Sequence, residues 1–272
     1  MNKFNKLLVI RPGGLGDCIL SFPAIQSPLL QCNYLEVWVP RAVVPLIRFA
    51  GGVRAISSTG LDLLGIPGVA PPPELWDSLR GFDAIVSWYG ANRDEFRAAT
   101  AMLPIEFHAS LPPADSLVHA ADFFSSQVGA PFEDPSIDLG PVVKRDFVAI
   151  HPFSGSPKKN WPLERFDALA RESGSAVEWC ATAEQAPLLG TRTPVLVEED
   201  LGKVARWLAS ARRYIGNDSG ITHLAAAVGT PVLALFQNSD ARIWCPRGRH
   251  VEILEAVPTG PSPSPSASRL DR

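Results

Sequence analysis

The sequence predicts an α/β protein built of two successive units, each with a parallel, doubly wound sheet. Three observations carry this expectation. Short apolar runs of strand length alternate with amphipathic helical stretches. The pattern halts in a Pro- and acid-containing stretch, residues 131–144, and starts afresh at Phe147. The length of 272 residues suits two domains of roughly 120–140 residues each.

Taken in order, Leu7 to Ile10 is an apolar run ending at a Gly-rich turn, and a helix is expected from Asp17 to about Leu30. Leu35–Val39 and Asp83–Trp88 read as further strands, with a helix over Ala42–Ala50 between them. After Pro131–Lys144, read as a linker, come strands at Phe147–Ile150, Val177–Cys180, Val195–Val197, Arg213–Ile215 and Val232–Phe236. Helices at Leu163–Glu172, Leu201–Ala211 and Ile221–Val228 separate them. The expectation is two Rossmann-like domains facing across a cleft, residues 1–140 and 145–257, followed by a low-complexity Pro/Ser tail over 258–272.

Composition narrows the function. Apolar residues make up 46% and charged ones 19%, a globular balance. The net charge of −3 offers no basic footprint, which argues against a nucleic-acid partner. Residues 1–140 carry 9 basic and 14 acidic side chains (−5) and the remainder 16 and 14 (+2), so the second half is the better host for an anion. Cys18, Cys32, Cys180 and Cys245 form no Cys-x-x-Cys pair, which suggests reduced thiols in a cytoplasmic protein and no zinc site. The first apolar run is too short for a secretory leader, and no run approaches a membrane span.

Three strand-to-helix segments carry candidate chemistry, because open α/β sheets bind ligands at the carboxyl ends of their strands. In Arg11-Pro-Gly-Gly-Leu-Gly-Asp17, glycines such as Gly14 and Gly16 allow close backbone approach. Asp17 reads either as a helix cap or as a carboxylate presented to the cleft as a general base. Ile19 stands where a dinucleotide fingerprint needs its third glycine, which disfavours a nicotinamide-dependent oxidoreductase.

In His151-Pro-Phe-Ser-Gly-Ser-Pro-Lys-Lys-Asn-Trp-Pro162, Ser154, Gly155 and the paired Lys158 and Lys159 suit phosphate oxygens; the alternative is a solvated basic loop. In the third, Asp218 and Ser219 precede an Ala-rich helix whose free N–H groups and dipole favour an anion. His223 reads as a structural histidine or a diphosphate contact. Glu198-Glu199-Asp200 reads as a solvated helix start, and no Asp-x-Asp metal pair stands at a strand end, so neither metal nor cofactor is expected.

Together these segments resemble glycosyltransferase family 9, the ADP-heptose:lipopolysaccharide heptosyltransferases. The resemblance rests on Val9–Asp17, on Ile150–Pro152 with Lys159–Phe166, and most specifically on Ile215–Pro231. It implies a glycosyltransferase B-type fold and metal-independent, inverting transfer of a heptose from ADP-heptose. A lipopolysaccharide-core or related glycan would be the acceptor, lipid-linked or free, with peripheral contact at the inner face of a membrane. Asp17 would match the base and Lys159 the lysine that stabilises the leaving diphosphate. Ser219, Gly220 and Thr222 would supply the phosphate-binding helix start, with Asp218 and His223 beside it, and Glu184 would hold the ribose.

The sequence departs from the family pattern at Phe153, where a small residue is usual, and at Gln237–Asp240, which replaces the usual turn. It is also short between Gly90 and Gly140, where acceptor-binding elements would lie. Two alternatives therefore stand beside a heptosyltransferase: a relative with another donor or acceptor, and a non-catalytic protein that binds a nucleotide sugar.

Overall fold

The computed structural model describes residues 4–27 and 32–256; the Pro/Ser tail expected over 258–272 lies outside them. The first sheet is wholly parallel, in the order β3-β2-β1-β4-β5, from β1 (Phe4–Ile10), β2 (Cys32–Val39), β3 (Gly52–Ala55), β4 (Ala84–Ser87) and β5 (Ile105–Phe107). The second comprises β6 (Phe147–His151), β7 (Ala176–Ala181), β8 (Val195–Val197), β9 (Arg213–Asn217), β10 (Val232–Phe236) and β11 (Val251–Glu255). Its order, β11-β10-β9-β6-β7-β8, is also parallel throughout. Counted from its own first strand, it follows the doubly wound order 3-2-1-4-5-6, and among the described residues the first sheet has the same order without a sixth strand. The fold is that of two Rossmann-like domains.

The helices of the first unit are α1 (Leu15–Leu20), α2 (Phe22–Ile25), α3 (Pro73–Arg80), α4 (Asp94–Ala99) and α5 (Ala120–Gln127). Those of the second are α6 (Leu163–Glu172), α7 (Leu201–Ser210), α8 (Gly220–Ala227) and α9 (Ala241–Trp244). Two expectations are modified. The helix beginning near Asp17 starts at Leu15 and breaks at Ser21, with Pro23, which has no N–H to donate, in the short piece that follows. The stretch expected to be helical over 42–50 is a 3-10 helix, Arg41–Leu46, with Pro45 inside it. Residues 131–144 have no regular structure.

The strand interiors are dry: Leu7, Leu8, Val9 and Ile10 in β1 and Val148, Ala149 and Ile150 in β6 are fully buried. Each is apolar on both faces because helices cover both sides of a parallel sheet. One hydrophobic cluster runs through both units and joins Cys18, Ile19 and Leu20 of α1 to Leu224 and Ala225 of α8. That contact is close because glycines allow it. A Cβ on Gly16 would lie 2.9 Å from His223 Cδ2, and one on Gly220 would lie 2.6 Å from Leu15 Cβ. Arg247 of the second unit also pairs with Asp122 of α5 at 2.5 Å. No helix among the described residues is long and apolar enough to cross a membrane.

Candidate active site

In each sheet the strand order reverses at one crevice: between β1 and β4 in the first, between β6 and β9 in the second. The loops after β1, β6 and β9 are the three singled out in the sequence, and they meet. A cavity of about 590 Å³ is lined from the first unit by Gly14, Leu15, Gly16, Asp17 and Leu20. From the second come Ser154, Gly155, Ser156 and Lys159, then Asp218, Ser219, Gly220, Ile221 and His223.

The first wall is built around a buried cation. Arg11 closes β1 in full burial, where a guanidinium is costly without acceptors. It donates to the Asp17 carbonyl (3.0 Å), the Ser110 carbonyl (3.3 Å) and Ser21 Oγ (3.1 Å), and lies 4.3 Å over the Phe124 ring. This fixes the backbone of Asp17. Gly13, at φ 110°, turns the chain so that Gly14 caps α1, and the Gly14 N–H donates to Asp17 Oδ2 at 2.9 Å. Asp17 is therefore not the cap itself. It lies in the first turn, half-buried, its carboxylate held by one backbone donor while its residue lines the cavity.

The second wall positions Lys159. Asn217, fully buried at the end of β9, accepts from the Trp161 N–H (3.1 Å) and donates to the Pro152 carbonyl (2.6 Å), binding the β6 loop to the β9 turn. Ser154 Oγ bonds Asn160 Oδ1 at 2.7 Å inside the loop. From the other side, Gln237 Nε2 donates to the carbonyls of Lys158 (3.0 Å) and Asn160 (2.9 Å), and Asn238 Nδ2 to Lys158 (2.6 Å). The Gln237–Asp240 departure thus clamps the basic loop. Phe153 points away from the cavity into the core, edge-on to His151 at 5.9 Å.

Lys159 Nζ sits 2.6 Å from Asp218 Oδ2; the carboxylate is buried while the lysine is 36% exposed. Asp218 Oδ1 is 4.0 Å from His223 Nε2, and His223 Nδ1 is buried without a hydrogen-bond partner. Burial drives the His223 pKa well below its usual range, with Asp218 opposing the shift, so the ring is neutral at pH 7. Ser219 caps α8 by accepting from the Thr222 N–H, and the helix starts at the cavity wall with its first N–H groups lacking intrahelical acceptors.

Two expected residues stand elsewhere. Thr222 is fully buried, and its hydroxyl is engaged with the Asn217 carbonyl, Tyr214 Oη and Ser219 Oγ, so it supports the helix start from behind. Glu184 is exposed in the turn after β7 and does not line the cavity. Gln185 and Thr182 line it from that turn instead, and Glu198 lines it from the end of β8. Glu198 is a residue the sequence reading assigned to solvent. Its signal was its position directly after a strand. Among the described residues, no group of three or more His, Cys, Asp or Glu side chains is disposed to hold a metal ion.

Comparison with known proteins bears on the family and the fold. The family model for glycosyltransferase family 9 (heptosyltransferase) matches residues 114–270, more than half of the chain. No curated protein matches the sequence. The E. coli ADP-heptose lps heptosyltransferase II structure superposes with a TM-score of 0.72 at 16% identity, covering 94% of this chain and 91% of that one. The glycosyl transferase family 9 structure from Veillonella parvula DSM 2008 gives 0.71 at 15%, covering 93% and 86%. E. coli heptosyltransferase WaaC with ADP-2-deoxy-2-fluoro heptose gives 0.64 at 17%, covering 93% of both chains. At such identities these likenesses establish the fold.

Proposed function

The chain belongs to glycosyltransferase family 9, and from that premise we propose that it moves a heptose from ADP-heptose to a lipopolysaccharide-core or related glycan acceptor. The observation that carries the reading is the shared cavity. Asp17 reaches it from the first unit, and Lys159 with the start of α8 reaches it from the second. A base and an anion site on opposite walls are what displacement at a glycosyl phosphate requires.

In the proposed step the acceptor hydroxyl oxygen attacks the anomeric carbon from the face opposite the diphosphate. A new C–O bond forms, the bond from that carbon to the diphosphate oxygen breaks, and the leaving ADP keeps the electron pair. The hydroxyl proton passes to the Asp17 carboxylate. Inversion follows from the single displacement. Lys159 turns from Asp218 to the departing phosphates, and the α8 amides beside Ser219 and Gly220 share the charge, so that no divalent metal is needed. Ser154, Gly155, Gly14 and Gly16 border the donor; His223 and Asp218 complete the wall. Residues 1–140 would take the acceptor and 145–257 the nucleotide, in a protein working in the cytoplasm, at times against the inner face of a membrane.

The test is Asp17→Asn with ADP-heptose and a heptose-deficient core acceptor. General-base loss predicts a fall in turnover of about 10²–10⁴-fold, with ADP affinity retained. Turnover close to that of the unaltered enzyme would remove Asp17 from the mechanism.

A further inference from the structure

The cavity has an end that the proposed step leaves unused. Its charged lining groups from the second unit, Lys159, Glu198 and Asp218, follow β6, β8 and β9, so all lie at β9 or on its β6 side in the order β11-β10-β9-β6-β7-β8. On the other side of β9, among the described residues, one side chain reaches the cavity: Trp244, at the end of α9, after β10. Neighbouring strands lie about 4.8 Å apart, so the strand that leads to α9 stands one such spacing beyond the strand that leads to α8. Asp17 and Leu20 line the same cavity from the first unit.

Of the seven tryptophans, Trp244 alone has an indole with no polar or aromatic partner among the described residues. The Nε1–H groups of Trp38, Trp88, Trp161 and Trp207 donate to Glu36, Gln127, the Phe236 carbonyl and Glu178. The rings of Trp76 and Trp179 meet the guanidinium groups of Arg80 and Arg192. The Trp244 ring packs against the hydrophobic cluster and stays partly exposed, with its N–H unbonded, although an indole N–H in a protein wall ordinarily finds an acceptor.

The first unit fixes its place. His119 Nδ1 accepts from the Ala121 N–H, so Nε2 carries the proton and donates to the Cys245 carbonyl at 2.9 Å. With the Arg247–Asp122 pair, this ties the chain just after Trp244 to α5, in the unit that carries Asp17. An uncharged wall with a held aromatic face and a free N–H suits a pyranose ring. The C–H groups on one face of such a ring carry partial positive charge, which the negative face of an indole attracts, and its hydroxyl oxygens can accept from Nε1–H.

We propose that Trp244 is the platform on which a pyranose ring stacks in this cavity, either the sugar being transferred or the acceptor sugar that receives it. This rests on the transferase reading above.

The experiment compares Trp244→Ala, Trp244→Leu and Trp244→Phe with the unaltered full chain in two measurements. One is the ratio of ADP-heptose to ADP affinity by calorimetry; the other is the KM for the heptose-deficient core acceptor. Loss of the aromatic face predicts a change of about tenfold in at least one of them for the alanine and leucine variants. The phenylalanine variant keeps a ring and should stay within about threefold of the unaltered protein in both. A fall in the affinity ratio identifies the transferred sugar as the ligand, and a rise in KM identifies the acceptor sugar. A misfolded fraction lowers the apparent turnover but alters neither quantity. A leucine variant that performs as well as the phenylalanine one would show that the site needs apolar bulk, as an alkyl chain does, and would overturn the assignment. So would three variants that leave both quantities unchanged. If the unaltered protein neither prefers ADP-heptose to ADP nor transfers from it, the transferase reading itself is overturned and this assignment falls with it.

Discussion

Replacing Lys159 by alanine removes the cation that faces Asp218 at 2.6 Å and leaves a carboxylate only 5% exposed beside a neutral, buried His223. Breaking a fully buried ion pair by deleting one partner costs about 3–5 kcal/mol. Lys159 is itself 36% exposed, so solvent already screens the pair and the expected loss falls to about 1–2 kcal/mol. For a chain of this size that corresponds to a lowering of Tm by roughly 2–4 °C. The double variant Lys159→Ala with Asp218→Asn removes the stranded charge and should regain most of that stability. Transfer should not return with it, because the double variant still lacks the ammonium aimed at the diphosphate. Thermal melts of the two variants, set beside their turnover and ADP affinity, separate the two roles of the lysine. A double variant that recovers turnover as well as stability would show that Lys159 only holds the loop in place, and the leaving-group role would be abandoned. A single variant as stable as the unaltered protein would refute the claim that Asp218 depends on it.

Gly16→Ala places a methyl group 2.9 Å from the buried His223 ring, so the α1–α8 contact must open; a loss of about 1–3 kcal/mol in urea unfolding is expected, and no loss would mean the ring can yield. Burial pushes the His151 pKa down to about 4, against an unfolded value near 6.5. The native ring therefore stays neutral where the unfolded one takes a proton, and its contribution is complete above pH 6.5 and lost as pH falls toward 4. Urea melts from pH 7.5 to 4.5 should show about 2–3 kcal/mol more acid destabilisation in the unaltered protein than in His151→Gln; parallel curves would refute it. Gln237→Ala, which releases the Asn160 carbonyl and leaves that of Lys158 to Asn238 alone, should weaken ADP binding by a few fold while leaving the melting temperature within about 2 °C, since the bonds it removes are at the rim; unchanged affinity would show that the loop does not need the Gln237 side of the clamp.

The features that can be read along one strand-to-helix unit were legible in the sequence. Leu163–Glu172 and Val232–Phe236 occur with the bounds their patterns predict, because an apolar stripe or a buried run declares itself locally. The edge strand β11 did not: it has only partial burial at Val251 and exposure from Glu252 to Glu255, so its run lacks the apolar density of β6. The short helices α3, α4 and α9 were missed for the same reason, since each buries only one or two side chains.

What the sequence could not state was which polar group faces the cavity and which faces inward. Glu184 and Glu198 each follow a strand of the second sheet by one to three residues, and both are acidic. The difference arises in how the next turn begins. After β7, the Gln185 side chain and the Thr182 N–H bond to each other at 3.2 Å and Glu184 is left on the outside of the turn. After β8, Asp200 caps α7, and the cap's own N–H, with that of Glu199, draws Glu198 back toward the cavity. A helix cap was correctly legible in that acidic run, yet the residue two places before it faced the site. The same applies to Asp17, whose carboxylate bonds to the α1 cap while standing in the cavity wall. In both places a backbone N–H fixes one carboxylate oxygen, and a structural cap and a functional group are the same few atoms.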